Sequence, residues 1–301
     1  MKSFMYRILF VFLDIISRTP FVVLYFIADG IYLLVFHVVG YRKKVVYQNL
    51  RNSFPEKTEA EIEAIAREFY KYFADMIVET IKWGSMTAAE ADQRMVVKNP
   101  EFINKYYDQG KSVLVYATHY GNVDWQGNMT SVLSHTFLAI YQKLSNPYFD
   151  DLIKKHRERF GCVCVEMSNS YKTIYAMAKD GELTGSWMAS DQAPQSYNKF
   201  WTMFLNQETS FFVGVEKIAK KTNQVVLFQE LTRVKRGHYE VEFSLVCEDP
   251  ASTKEYEITQ KYVELLDAQI RKSPAYWLWS HRRWKRSRPE GMDLHIPEGK
   301  L

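Results

Sequence analysis

The stretch Tyr116-Ala-Thr-His119-Tyr-Gly-Asn-Val-Asp124 holds two side chains suited to acid–base chemistry, an imidazole and a carboxylate in an H-x4-D pair. On an ideal helix this spacing turns through about 500°, leaving the side chains ~140° apart. They can meet only if His119 lies in a turn and Asp124 in the first turn of a helix behind it. Gly121 and Asn122 are residue types that permit such a turn. So placed, Asp124 would accept the proton of one imidazole nitrogen and leave the other free to deprotonate a nucleophile. No Ser or Cys stands in a G-x-S-x-G elbow, so the attacking hydroxyl is expected to belong to the substrate. A histidine in a turn is also commonly structural, and the pattern alone does not choose between the two.

The elements that must position this pair are legible around it. The runs 112–117, 137–142, 162–167, 185–190 and 225–230 are short, apolar and rich in β-branched or aromatic residues, as strands are. Helix-like stretches at 146–160, 170–180 and 210–221 alternate with them, which predicts an α/β fold with a mixed, mostly parallel sheet flanked by helices. The run 238–246 alternates as a half-exposed antiparallel edge strand would, and a helix is expected over 253–272. Upstream, Thr58 to Glu61 reads as a capping box opening an amphipathic helix, with Ile62, Ile65, Ala66, Phe69, Phe73, Met76, Ile77 and Ile81 on its buried stripe. A second box, Thr87 to Glu90, opens a short helix.

Residues 4–40 are almost entirely apolar, and from Phe21 to Val39 only Asp29 and His37 are ionisable. That length approaches the ~20 residues needed to cross ~30 Å of hydrocarbon. A membrane anchor over residues 1–45 and a catalytic domain over 46–301 are expected. Arg42, Lys43 and Lys44 follow the stretch and would hold the domain on the cytoplasmic side. Two other readings stay open: helices broken at Pro20 that lie in the membrane interface, with Arg7 and Arg18 snorkelling to headgroups, or a buried hairpin of core helices.

Composition excludes several classes. With 47% hydrophobic and 25% charged residues the chain is neither disordered, collagen-like nor a disulfide scaffold. A net charge of +4 and the absence of a recognisable binding module argue against nucleic acid. Cys162, Cys164 and Cys247 form neither a disulfide framework nor a zinc pattern; the first two share a strand face and read as small apolar fillers. The aromatic share, 15%, suits contact with lipid or a wide apolar ligand and equally suits an aromatic core.

The whole chain resembles the lipid A late acyltransferases, a lysophospholipid acyltransferase-like family that adds fatty acyl chains to lipid A precursors. The features that carry the resemblance are the N-terminal anchor, Tyr41-Arg42-Lys43 through Asn49-Leu50 to Phe54-Pro55, His119 with Asp124 after one strand, and Asp191-Gln192 after another. Trp279-Ser280-His281-Arg282-Arg283-Trp284 near the C-terminus is the most specific. The resemblance implies a glycerolipid acyltransferase-like fold, His119 as general base and Asp124 as its acidic partner. It also implies an acyl thioester donor on acyl carrier protein or coenzyme A, no bound cofactor or metal, and a place on the cytoplasmic face of the inner membrane. The sequence departs from the family where Asp124 stands in a slot more often filled by glutamate, and where Asn206 follows Phe204-Leu205 in place of an expected glycine. These departures bear on the acceptor, for which a lysophospholipid, an amino-acid lipid or a glycolipid are alternatives. A non-catalytic lipid-binding scaffold of the same fold is the alternative from outside enzymes.

The remaining candidates each carry two readings. Asp191 could orient a phosphate-binding base or a catalytic loop, or serve as a turn residue ending a strand. Arg282 and Arg283 are expected to recognise anionic groups of donor or acceptor, against a solvated basic tail or arginines that pin the C-terminus to the core. Tyr116, Tyr120, Trp125 and Trp201 could line an acyl groove or simply pack the core.

Overall fold

A computed structural model describes residues 2–194 and 198–296. The chain begins with two apolar helices, α1 (Lys2–Ser17) and α2 (Phe21–Leu33), separated at Pro20, and α2 runs on into a π-helical turn, Leu34–Val39. Gly40, with φ +62°, ends that turn. Next come α3 (Lys43–Ser53) and the long α4 (Glu59–Trp83), whose N-terminus carries the expected box: Thr58 accepts from the Glu61 N–H, and Glu61 accepts from the Thr58 N–H. In α5 (Ala88–Arg94) the Thr87 hydroxyl caps the Glu90 N–H, one half of the second box expected there.

The α/β unit follows as β1 (Met95–Val97), α6 (Pro100–Asp108), β2 (Val113–Ala117), β3 (Thr136–Tyr141), α7 (Pro147–Glu158), β4 (Val163–Glu166), α8 (Ser170–Lys179), β5 (Thr184–Ala189), β6 (Trp201–Phe204), β7 (Gln207–Ser210), α9 (Gly214–Thr222), β8 (Val225–Lys235), β9 (His238–Cys247) and α10 (Glu257–Lys272). Seven strands form one sheet in the order β1-β9-β8-β2-β5-β3-β4, parallel throughout except between β8 and β9. The fold is therefore the mixed, mostly parallel α/β architecture that the alternating runs predict. Its central strands are continuous apolar runs because helices cover both faces, and every residue of β2 is buried.

Two details differ from the sequence reading. β9 is antiparallel to β8 but is not an edge, because the short β1 pairs along its other side. The stretch read as a helix over 210–221 starts only at Gly214, since β6 and β7 form a separate hairpin that takes residues up to Ser210. At the tip of that hairpin Leu205 and Asn206 have φ of +48° and +62°. A glycine adopts this left-handed pair without strain, and asparagine is the next best residue there.

Parts of the N-terminal segment pack on later elements. Leu24 and Ala28 of α2 pack on Ala74 and Val78 of α4, the Tyr70 hydroxyl donates to the Tyr41 carbonyl at 2.6 Å, and Arg42 donates to the Ser280 carbonyl at 3.0 Å. Asn49 of α3 donates to the carbonyls of Trp279 and His281, at 2.9 and 3.0 Å. The two signature segments, one near each end of the chain, thus grip one another.

Candidate active site

β2 and β5 lie side by side and parallel, with Ala117 opposite Ala189. Two residues beyond both strand ends the same register sets His119 opposite Asp191. The imidazole Nδ1 lies 2.7 Å from Asp191 Oδ1, and the His119 backbone N–H donates to Oδ2 at 3.0 Å. The Trp277 indole N–H donates to the same Oδ2 at 2.9 Å. Asp191 is 1% exposed, whereas about a third, 31%, of the His119 side chain is open to the neighbouring cavity. Ligands of open α/β sheets sit at the carboxyl ends of parallel strands, which is where this pair stands.

The two charges tune each other. Burial alone would favour the neutral forms, but the Asp191 carboxylate holds the imidazole above its usual value, and His119 with Trp277 holds the carboxyl below its own. Asp191 receives the Nδ1 proton, so Nε2 is the nitrogen available as a base.

The turn after His119 has the geometry that the H-x4-D spacing requires. Gly121 has φ +66°, and a Cβ there would collide with Leu231 Cδ2. The Asn122 side-chain oxygen accepts from the N–H groups of Asp124 and Trp125, opening a 3-10 helix over Asp124–Ser131. Asn122 is held in turn by Glu79, a fully buried carboxyl that also accepts from Tyr239. Gly121 is fixed from both sides, its N–H to the Tyr276 carbonyl and its carbonyl to the Tyr72 hydroxyl.

Asp124 nevertheless does not take the place expected of it beside the imidazole. Its Oδ1 accepts from Arg157 Nη2 at 2.7 Å and its Oδ2 from the Thr80 hydroxyl at 3.2 Å. A guanidinium supplies a permanent charge and several donors, while His119 already has a carboxylate delivered by strand register. Asp124 still acts on His119 through space, as a weaker influence than Asp191, and Arg157 opposes it.

His119, Asp124 and Arg157 border a cavity of about 1000 Å³ whose wall is largely apolar, including Phe137, Ile140, Trp187 and Ile218. His281 and Lys285 of the C-terminal signature reach the same cavity. The His281 Nε2 accepts from the Ala193 N–H at 3.2 Å, and burial pushes this imidazole down to about 4, so it is neutral near pH 7 with its proton on Nδ1. Of the four aromatics proposed for a groove, none lines the cavity. Tyr116 stacks on Tyr262 at 4.0 Å in the core, and Trp125 packs between Trp83 and Tyr239.

Arg282 and Arg283 are also not brought to the cavity. Arg282 is exposed elsewhere. Arg283 is buried, donates to the Thr209 hydroxyl and the Ser210 carbonyl at 2.5 and 2.7 Å, and lies over the Phe211 ring. Its charge is spent on the β6–β7 hairpin, and burial lowers it to about 10. The site residues that the sequence reading missed are Arg157 and Trp277. Arg157 is one of many charges on an amphipathic helix, and Trp277 stands just outside the signature.

A histidine–carboxylate pair at adjacent strand ends, beside a largely apolar cavity of about 1000 Å³, is the arrangement of an α/β enzyme with an apolar substrate. The family model "Bacterial lipid A biosynthesis acyltransferase" matches residues 2–286, and the chain belongs to that family. It is similar to the lipid A biosynthesis palmitoleoyltransferase of Escherichia coli K12, 22% identical over 283 residues, covering 91% of this chain and 88% of the relative. The lauroyltransferase of the same organism is 23% identical over 288 residues, covering 92% and 90%. The chain is an acyltransferase, and its family implies an acyl donor, a lipid acceptor and association with a membrane.

Proposed function

We propose that the protein transfers a fatty acyl chain from a thioester, carried by acyl carrier protein, to a hydroxyl of a lipid A precursor at the cytoplasmic face of the inner membrane. The observation that supports this most is the His119–Asp191 pair, with His119 in the wall of the apolar cavity. The acyl chain lies in the cavity with its thioester carbonyl beside His119. Nε2 takes the proton of the acceptor hydroxyl as its oxygen bonds to the carbonyl carbon. The tetrahedral intermediate collapses, the C–S bond breaks, and the imidazolium returns the proton to the departing thiolate. Asp191 holds the tautomer and stabilises the imidazolium. We assign oxyanion stabilisation to Arg157, which lines the cavity and is tethered by Asp124, so that Asp124 acts as a positioning residue.

The test is to incubate the purified protein with acyl–acyl carrier protein and a lipid A precursor and to read the lipid by mass spectrometry. The wild type adds one acyl mass, and His119→Ala loses on the order of 10²–10⁴-fold in rate while remaining folded. Wild-type turnover by His119→Ala would remove His119 from the mechanism. Acylation of a lysophospholipid or an amino-acid lipid in place of the precursor would reassign the acceptor. No transfer to any acceptor would favour a lipid-binding scaffold.

A further inference from the structure

We infer that α1 and α2 lie along one leaflet of a membrane, side-on, and that the stretch Phe21–Val39 does not cross it. This rests on the family reading for the presence of a membrane but not on the proposed reaction. By length and hydropathy the stretch could span, with 19 residues and a mean hydropathy of 2.2. Its surroundings preclude that. Asp29, near its middle, is bound by Arg236 from the β8–β9 turn at 2.7 Å, and Arg236 also binds Asp75 of α4 at 2.5 Å and the Tyr25 carbonyl at 3.1 Å. The groove beside this part of α2 is lined by Arg67, Glu68 and Lys71 of α4 together with Arg233. The charged body of the protein therefore flanks the centre of the stretch, where a spanning helix would need hydrocarbon on every side.

The opposite face is a different surface. On α2 and the turn after it, Val22, Phe26, Leu34 and Val38 are each more than half exposed, at 82%, 79%, 52% and 76%. On α1 the exposed residues Met5, Ile8, Phe12 and Ile15 recur at helical spacing. An apolar stripe on each of two successive helices, with the polar side of the pair fixed to the domain, is the form of an in-plane membrane anchor. The exposed cations Arg7, Arg18, Arg42 and Lys44 flank these stripes and suit anionic headgroups, which commits the face to a lipid surface.

The seat is continuous with the site. Tyr6 of α1 stacks on Tyr148 of α7 at 4.4 Å, and Phe10 packs edge-on to Phe149 at 5.8 Å. The same α7 carries Ile153 and Arg157 in the cavity wall. Phe21 of α2 packs on Trp125, the neighbour of Asp124. A lipid acceptor would thus reach His119 from the leaflet on which the helices rest.

Depth measurement tests this without any turnover. A nitroxide is attached through p-acetylphenylalanine at Val22, Phe26, Leu34 or Val38, one at a time, in the full chain bound to phosphatidylethanolamine–phosphatidylglycerol vesicles, and its collisions with oxygen and a nickel chelate are compared. All four labels are expected at similar shallow depth, roughly 5–10 Å below the headgroups. A depth profile that passes through the bilayer centre and returns to the opposite surface between Val22 and Val38 would overturn the inference. So would labels that stay in water with no vesicle binding. As a second readout, Val22→Lys with Phe26→Lys should weaken vesicle binding at least tenfold while leaving thermal stability and activity in detergent unchanged. Unchanged vesicle binding would overturn the inference equally.

Discussion

At Asp191 a single carboxylate sets both the tautomer and the basicity of His119, so one substitution should change two observables. With His119 as the proposed base, the neutral imidazole is the active form, and its conjugate acid is held above the usual ~6.5 by Asp191. kcat/KM should therefore rise with pH through that elevated value. In Asp191→Asn the raising charge is gone while burial remains, so the acidic limb should move to lower pH even as kcat falls by roughly 10²–10⁴-fold. A pH–rate profile with an unmoved limb would detach Asp191 from the base. The raised His119 value also contributes stability that is fully present below ~6.5 and is lost as pH rises through the folded-state value. The melting-temperature advantage of wild type over Asp191→Asn should accordingly be larger at pH 6 than at pH 9.

Among the elements, the strands and most helices could be read from apolar runs and capping boxes, because those signals are local. The partner of His119 could not, because it is set by strand register. Residues 72 apart become opposite only when β2 and β5 pair in parallel with Ala117 facing Ala189. Asp124, close in sequence and correctly placed at a helix start, was the visible carboxylate, and nothing local marks Arg157 as its competitor. The β6–β7 hairpin was hidden for a similar reason, since its turn uses Leu205 and Asn206 where a glycine would have announced it. Arg283 belongs to this hairpin. Arg283→Ala would leave the Ser210 carbonyl and the Thr209 hydroxyl without their donor. We expect a loss on the order of 3 kcal/mol, seen in denaturant unfolding, with KM unchanged for the protein that remains folded. Arg282→Gln should stay within about 0.5 kcal/mol of wild type. A raised KM in a stable Arg283→Ala protein would restore a recognition role.

Across the whole molecule, the site is closed by a strap from the C-terminal segment. The Tyr276 carbonyl receives the Gly121 N–H, Trp277 reaches Asp191, and Asn49 of α3 holds the carbonyls of Trp279 and His281. Asn49→Ala should cost about 1–3 kcal/mol and lower kcat by loosening the strap that orients Asp191. Vesicle binding, which the inference above assigns to α1 and α2, should be unaffected. Kinetics and flotation on the same preparation check both halves of that expectation. A variant that loses vesicle binding in step with kcat would instead mean that the two ends of the molecule act as one unit.

The strap also imposes an order in time on the newborn chain. A ribosome delivers α1 and α2 first, Asp191 much later, and Trp277 later still. Until that indole emerges the Asp191 carboxylate lacks one of its donors, and the His119 turn lacks the Tyr276 carbonyl that anchors Gly121. The growing polypeptide can therefore settle on lipid long before its acid–base pair is complete. On the proposed mechanism, acid–base reactivity is thus complete only after the apolar helices can have met lipid.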